Sequence, residues 1–142
     1  MISLKRTTID DVDLLLKMDK QKETQMYLGG VKNKSREERI EFLKKKELNS
    51  NNYTVYLNNS IKIGFIGLKK IPNYYELSYI FDSDYTNKGY CSKAIEILLK
   101  DYKDIKIIAK FKKENTASIR VLEKNGFMYK DKDEDDFLIY EK

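Results

Sequence analysis

The stretch Asp84-Tyr-Thr-Asn-Lys-Gly-Tyr-Cys-Ser-Lys-Ala94 decides how the rest of the chain is interpreted. Apolar side chains alternate in residues 77–81 before it, which is the pattern of a half-buried strand. After it, apolar side chains recur at helical spacing in residues 94–102. The stretch is therefore predicted to be a strand-to-helix turn.

The turn contains residues that tolerate unusual backbone conformations. Asn87 and Gly89 can both adopt positive φ with little strain. Such a turn directs several backbone N–H groups at one point, beside the positive end of the following helix, and phosphate is the usual ligand there. Lys88 adds a positive charge. The residues alone leave two interpretations open: a phosphate site, or a connection in which the glycine only makes the turn.

A second stretch favours the phosphate site. Asn115-Thr-Ala-Ser-Ile-Arg-Val-Leu-Glu-Lys-Asn-Gly-Phe127 follows another apolar alternation, in residues 105–111. Together the two stretches resemble the GNAT superfamily of N-acetyltransferases. In that family a Gln/Arg-x-x-Gly-x-Gly/Ala loop binds the pyrophosphate of coenzyme A, and an Asn-x-x-Ser/Ala helix ending in Gly-Phe flanks the pantetheine arm. The resemblance is nearest to the branch that acetylates ribosomal-protein N-termini, and it extends to residues 26–28 and 63–67.

The resemblance implies a fold and a set of cofactor contacts. The fold is α/β (α+β), with a mixed, mostly antiparallel sheet of about six or seven strands, flanking helices and a splayed pair of parallel strands. Pantetheine amides bind the open edge of the strand before the turn, much like an added strand. The implied contacts with acetyl-CoA are Tyr79, Ile80, Phe81, Thr86, Asn87, Lys88, Gly89, Tyr90, Cys91, Ser92, Asn115 and Ser118.

The implied reaction is direct attack of an amine on the thioester in a ternary complex. The acceptor is a protein N-terminus, a polyamine or another small amine. Glu76, at the start of the strand before the turn, is the candidate general base; its alternative is a solvated carboxylate. Ser118 is the candidate hydroxyl near the sulfur; its alternative is a hydroxyl bonded to its own helix.

Three residues depart from the family pattern. Leu122 stands where many members have a tyrosine that protonates the leaving thiolate, Thr86 replaces Gln or Arg, and Cys91 replaces Gly or Ala. No histidine is present to activate Cys91, so it is not expected to be a nucleophile. These departures support an alternative function, a catalytically weak or inactive GNAT-like domain that binds acetyl-CoA or serves as an interaction module.

Composition restricts the other classes of function. The chain of 142 residues predicts one domain, residues 1–142, and no apolar run approaches the roughly 20 residues that span a bilayer. A single cysteine favours a reducing, cytoplasmic setting. The absence of histidine excludes Cys/His zinc sites and Ser-His or Cys-His nucleophiles, and no metal is expected. The 28 Lys and Arg residues are scattered among 23 acidic residues, and the net charge is +5. This pattern favours attraction of a polyanionic cofactor over binding of nucleic acid.

The remaining segments predict the order of elements. A first strand starts at Ile2, a helix opens at Thr8, and Ser35 with Glu38 forms a capping box before another helix. The loop between these helices, residues 20–34, is the implied wall of the acceptor site. Further predictions are hairpins at residues 58–59 and 72–73, a strand at residues 105–111, a solvated turn at residues 131–136, and a final edge strand at residues 137–140. Pairing of an edge strand with a second copy would give a homodimer.

Overall fold

The computed structural model describes residues 1–49 and 51–142. Its strands are β1 Ile2–Arg6, β2 Asn51–Leu57, β3 Ile61–Ile71, β4 Tyr74–Phe81, β5 Ile107–Lys112, β6 Met128–Lys132 and β7 Phe137–Glu141. Its α-helices are α1 Val12–Asp19, α2 Lys22–Gln25, α3 Arg36–Asn49, α4 Tyr90–Leu99 and α5 Thr116–Lys124. Short 3-10 turns at Ile9–Asp11 and Ser83–Tyr85 precede α1 and α4.

The strands form one seven-stranded sheet in the order β1-β2-β3-β4-β5-β7-β6. All neighbours are antiparallel except β4 and β5, which are parallel. This is the mixed, mostly antiparallel α/β fold that the sequence predicted. The hairpin at Asn58 and Asn59 is also confirmed, because both residues have positive φ, 54° and 61°, as a tight turn requires.

The C-terminal strands correct two predictions. Residues 137–140 were expected to form an edge strand, but β7 lies between β5 and β6, and β6 forms the edge. Asp131 was assigned to a solvated turn, yet it lies in β6 opposite Ile139. The reason is that β6 is exposed along its whole length, so it lacks the alternation of buried side chains that indicates a strand. Homodimer formation through an edge strand stays a prediction.

Two hydrophobic clusters cover the two faces of the sheet. The larger contains Leu77 from β4, Ile95 from α4 and Leu122 from α5. The smaller contains Val12 from α1 and Leu43 from α3. The sheet therefore separates α4 and α5 from α1 and α3. Within the described part of the chain, no helix has the length and hydrophobicity needed to cross a membrane.

The helix starts follow the predicted capping residues. The Thr8 amide donates to the Asp11 carboxylate at 3.0 Å, and the Thr8 hydroxyl accepts from the Asp10 amide at 3.2 Å. At α3, the Ser35 hydroxyl accepts from the Glu38 amide at 3.1 Å, while the Glu38 carboxylate accepts from the Ser35 amide at 3.2 Å. The hydrogen bond from the Ser35 backbone lowers the pKa of Glu38. Both capping predictions are confirmed.

A buried carboxylate connects α1 to the end of β4. Asp82 is 1% exposed and accepts from Lys17 Nζ at 2.7 Å, from Gln21 Nε2 at 2.8 Å and from the Asp84 amide at 3.0 Å. Burial alone would raise the pKa of Asp82, but these hydrogen bonds outweigh it and hold the pKa below its usual value. The network therefore anchors the end of β4 to α1.

We expect Asp82→Asn to destabilise the protein by about 1–3 kcal/mol at pH 7, because the variant loses charge-assisted hydrogen bonds in a buried site. The lowered pKa means that this stabilisation is present above the unfolded-state pKa near 4 and is lost as pH falls through the folded-state value. Urea unfolding at pH 7 and pH 3 measures the change.

The matched control is Asp84→Asn. Asp84 is 69% exposed and lies 3.4 Å from the same ammonium group, so its loss should cost less than about 1 kcal/mol. An Asp82→Asn effect of the same size at both pH values would contradict the proposed ionic anchor.

Candidate active site

A cleft opens where β4 and β5 separate. The two strands pair only at Tyr75–Ile107, Glu76–Ile108 and Leu77–Ala109. Beyond that point β4 stays paired with β3 as far as Phe81, and β5 stays paired with β7 as far as Lys112. The parallel pair therefore splays, as the sequence resemblance implied.

The direction of backbone groups in β4 decides which residues face this cleft. The Tyr75 amide donates towards β5, to Lys106 O at 3.0 Å, whereas the Asp82 amide donates towards β3 at 2.9 Å. Because these directions alternate along a strand, the backbone groups of Tyr79 and Phe81 face the cleft. Ile80 was predicted to present the same edge, but its N–H and C=O point towards β3.

One group on this edge already has a partner. The Phe81 carbonyl accepts a hydrogen bond from the Thr24 hydroxyl at 3.1 Å. Tyr79 lies past the last residue of β4 that pairs with β5, so its N–H and C=O have no ladder partner among residues 1–49 and 51–142. The open edge is therefore short and centred on Tyr79.

The turn after β4 has the backbone geometry that the sequence predicted. Asn87 has φ 61° and Gly89 has φ 82°, and Gly89 is the N-cap of α4. In the described chain, no protein group accepts a hydrogen bond from the amides of residues 87–92. A Cβ built on Gly89 would have nothing within 4 Å. The turn thus presents unbonded N–H groups to open space at the positive end of a helix.

Lys88 is the exposed cation of this turn, and it forms no ion pair with another described residue. Two neighbouring side chains are already engaged. The Thr86 hydroxyl donates to the carbonyl three residues earlier at 3.0 Å, and the buried Ser92 hydroxyl accepts from Asn125 Nδ2 at 3.1 Å. Ser92 therefore has a structural side chain and only its amide is available to a ligand. Tyr90 packs against the larger cluster.

Three polar side chains meet on the α4 and α5 side of the cleft. Tyr79 Oη is buried and makes no hydrogen bond within the described residues. Burial raises the pKa of Tyr79 well above its usual value, and nearby Cys91 acts in the same direction. The Ser118 hydroxyl opposes both because it is near Tyr79 Oη, although the two do not meet in hydrogen-bonding geometry. Burial likewise raises the pKa of the Cys91 thiol. Cys91 is therefore a protonated thiol and a poor nucleophile.

No feature of the sequence indicated the Tyr79 hydroxyl, because the resemblance implied a contact only through the open edge of the strand. A strand residue before the turn carries no local signal that its hydroxyl lacks a partner. The neighbouring motif residue Asn115 is the N-cap of α5, and its Oδ1 accepts from the Ser118 amide at 3.4 Å. Its side chain therefore caps the start of the helix, whereas the resemblance implied a contact with acetyl-CoA.

The end of α5 matches its predicted signal. Gly126 has φ 87°, and the Phe127 amide bonds to Leu122 O at 3.0 Å, as in a Schellman motif. The Leu122 side chain is 0% exposed within the larger cluster. The side chain at this position therefore packs in the core and offers no hydroxyl to the site.

Glu76 approaches the cleft from the other face of the sheet. Its side chain alternates with the buried side chain of Leu77 along β4, so Glu76 and Ser118 lie on opposite faces and meet only through the cleft. The surrounding cavity has a volume of about 720 Å³. Its wall includes Glu23 and Tyr27 from the segment predicted as the acceptor wall. No cluster of metal-ligating side chains occurs in the described residues.

Comparisons with known proteins agree with this geometry. The model of the acetyltransferase (GNAT) domain matches residues 2–128. A search of curated protein sequences finds no match. Among solved structures, a GNAT-family acetyltransferase from Bacillus anthracis is 26% identical, with a TM-score of 0.80 over 99% of this chain and 92% of that one.

Two further structures are similar in fold. Spermidine N-acetyltransferase from Vibrio cholerae, solved with CoA and spermine, is 16% identical, with a TM-score of 0.81 over 99% of this chain and 92% of that one. RimL, the ribosomal L7/L12 α-N-protein acetyltransferase solved with coenzyme A, is 19% identical, with a TM-score of 0.84 over 99% and 93%.

Proposed function

The chain belongs to the GNAT acetyltransferase family, and from this premise we propose that it transfers an acetyl group from acetyl-CoA to an amine. The observation that carries the proposal is the splayed pair β4 and β5 beside a turn of unbonded amides. An open strand edge and an anion site in one cleft match a ligand that has amide groups at one end and phosphates at the other.

The residues present fit coenzyme A. The amides of residues 87–92 and the ammonium group of Lys88 would hold the pyrophosphate, because both present positive charge to open space. The backbone of Tyr79, and the free amide of Phe81, would bind the pantetheine amides. The buried, unpartnered Tyr79 hydroxyl also requires a polar partner, since an unsatisfied buried donor is costly. When bound, acetyl-CoA supplies a thioester whose acetyl carbon is open to attack by an amine.

Few protein groups are needed for the transfer. Glu76 would accept a proton from the amine, directly or through water. A free α-amine with a pKa near 8 is about one tenth neutral at pH 7, whereas a lysine side chain with a pKa near 10.4 needs more help. On the opposite face, the Ser118 and Tyr79 hydroxyls would donate hydrogen bonds at the place where negative charge develops. Tyr79 keeps its proton at pH 7, as an ordinary tyrosine does, and burial raises its pKa further.

The acceptor in this proposal is a protein N-terminus, a polyamine or another small amine. The carboxylates of Glu23 and Glu76 line the cavity together with Lys110, Lys112 and Arg120, so they would attract an ammonium group only in their immediate vicinity. Related structures support the same range, since one relative was solved with spermine and another is named for a ribosomal protein.

A binding-only function is the second candidate. The observation that favours it is the complete burial of Leu122 at the position of the family tyrosine. Calorimetry with acetyl-CoA tests binding, and release of free thiol with a panel of amines tests turnover. Binding without thiol release would support the binding-only domain, while the absence of binding would refute both candidates.

We expect Gly89→Val to weaken CoA binding about tenfold or more. A β-branched residue is strained at φ 82°, and relief of that strain moves the turn amides. Gly29→Val is the matched control, because Gly29 has φ 92° and also has free space around a Cβ, yet lies in the acceptor wall. Calorimetry should find normal CoA affinity for Gly29→Val; equal losses in both variants would argue against a specific role of the turn.

We expect Ser118→Ala to lower kcat about tenfold while CoA affinity stays within about twofold, because the hydroxyl acts only as charge develops. Tyr79→Phe should act in the same direction. If the two hydroxyls form one unit, the double variant is little worse than the poorer single variant. Ser60→Ala, an exposed hydroxyl in the β2–β3 turn, serves as control. Unchanged kcat in Ser118→Ala would remove that residue from the mechanism.

A further inference from the structure

One hydrogen bond crosses the cleft. Tyr27 Oη donates to the backbone carbonyl of Glu114 at 3.0 Å. Tyr27 follows α2 on the acceptor-wall side, and Glu114 follows β5 on the other side of the cleft. Both residues line the cavity. The bond therefore connects the two sides of the cleft at its wide end, where β4 and β5 are farthest from their last paired residues.

A second bond attaches the acceptor wall to β4. The Thr24 hydroxyl lies 3.1 Å from Phe81 O, at the end of that strand, and Tyr27 follows Thr24 by three residues. On the opposite side of the cleft, the chain runs from β5 directly to Glu114. At the narrow end, β4 and β5 are joined by their own ladder. These connections form a closed boundary around the cleft, which we call the window.

The segment that carries Tyr27 is held firmly. Gln25 is 1% exposed, and its Nε2 donates to Met18 O in α1 at 2.9 Å. The Lys32 ammonium group donates to Gln25 Oε1 and, at 2.9 Å, to Leu28 O. The backbone around Tyr27 is thus fixed on α1 by bonds that do not involve the cleft. The Tyr27 side chain therefore bridges the cleft from a backbone position that is already fixed.

The window separates the two reactants. The turn of residues 87–92 and Ser118 lie with α4 and α5, whereas Glu76 lies on the other face. An acceptor that arrives on the Glu76 side must reach through the window to meet the acetyl group. A closed boundary lets an unbranched alkyl chain enter with its amine first. A chain that is branched at the carbon next to the nitrogen can enter only if the Tyr27–Glu114 hydrogen bond opens.

Resting on the proposed function, we propose that Tyr27 is a specificity-determining residue: its bridge to Glu114 restricts the acceptor to primary amines on unbranched, flexible ends. Linear alkylamines, including the ends of polyamines, and an N-terminal glycine belong to this class, whereas other N-terminal residues carry their amine on a branched carbon. Amines attached directly to a ring are excluded by the window unless the bridge opens.

The test compares n-hexylamine with cyclohexylamine, which have equal numbers of carbons, at saturating acetyl-CoA and with thiol release as the signal. In Tyr27→Phe, the kcat/KM preference for the linear amine should fall about 2- to 10-fold, the range that one neutral hydrogen bond supplies. Tyr27→Ala should reduce it at least as much. Tyr129→Phe is the matched control, because Tyr129 is an exposed tyrosine of β6 outside the cavity, and its preference should equal that of the unaltered protein.

Hydrogen exchange of the free protein provides a readout that needs neither reactant. The Thr116 amide bonds to Glu114 O, and the Leu28 amide bonds to Gln25 O. Exchange at these two amides therefore reports on the two sides of the window. Tyr27→Phe should accelerate exchange at Thr116 about 2- to 10-fold. CoA affinity by calorimetry should stay within about twofold, which separates a window effect from a cofactor effect.

The outcomes are distinguishable. Faster exchange together with a reduced linear preference supports the window. Turnover with an unchanged preference in both Tyr27 variants overturns the window but leaves the transferase function intact. Unchanged exchange in Tyr27→Phe shows that the bridge does not hold in solution and overturns the inference by itself. Absence of thiol release with every amine overturns both the proposed function and the specificity assigned to Tyr27.

Discussion

The whole site depends on the end of pairing between two parallel strands. After Leu77 and Ala109, β4 and β5 diverge, and the backbone groups of Tyr79 have no strand partner in the described parts of the chain. Polar backbone groups in a folded interior require partners, so this edge is where we propose that a ligand takes the place of a strand. The divergence is held from both sides, because β4 stays on β3 and is anchored through Asp82 to α1, while β5 stays on β7.

The sheet distributes chemistry between its two faces. The face covered by α4 and α5 carries the turn amides and the hydroxyls of Tyr79 and Ser118, which suit an anionic, amide-containing ligand. The face covered by α1 and α3 carries Glu76, the general base that we propose. The cleft opens to both faces, so the divergence of β4 and β5 provides the binding edge and the passage between two reactants that we propose.

Departures from the family pattern acquire physical meaning in this arrangement. Leu122 is a core residue, because α5 orients its side chain towards the larger cluster. A buried tyrosine hydroxyl nevertheless stands beside Ser118, contributed by β4 instead of α5. Cys91 fits as a small, protonated side chain packed against the same cluster. Thr86 uses its hydroxyl within the turn, so the proposed phosphate contacts come from backbone amides and Lys88.

Local chemistry is what the sequence by itself determined. Asparagine and glycine marked the positive φ values at the β2–β3 turn and at residues 87 and 89, and Ser35 with Glu38 marked a helix start, because a few neighbouring atoms decide these conformations. The splayed pair followed from the resemblance carried by two motifs. Only the tertiary structure decided the position of β7 inside the sheet, the orientation of Ile80 towards β3, the unpartnered hydroxyl of Tyr79, and the bridge from Tyr27 to Glu114. Strand register and packing set each of these, and both are sums over contacts distant in sequence, such as that between Tyr27 and Glu114, which are 87 positions apart.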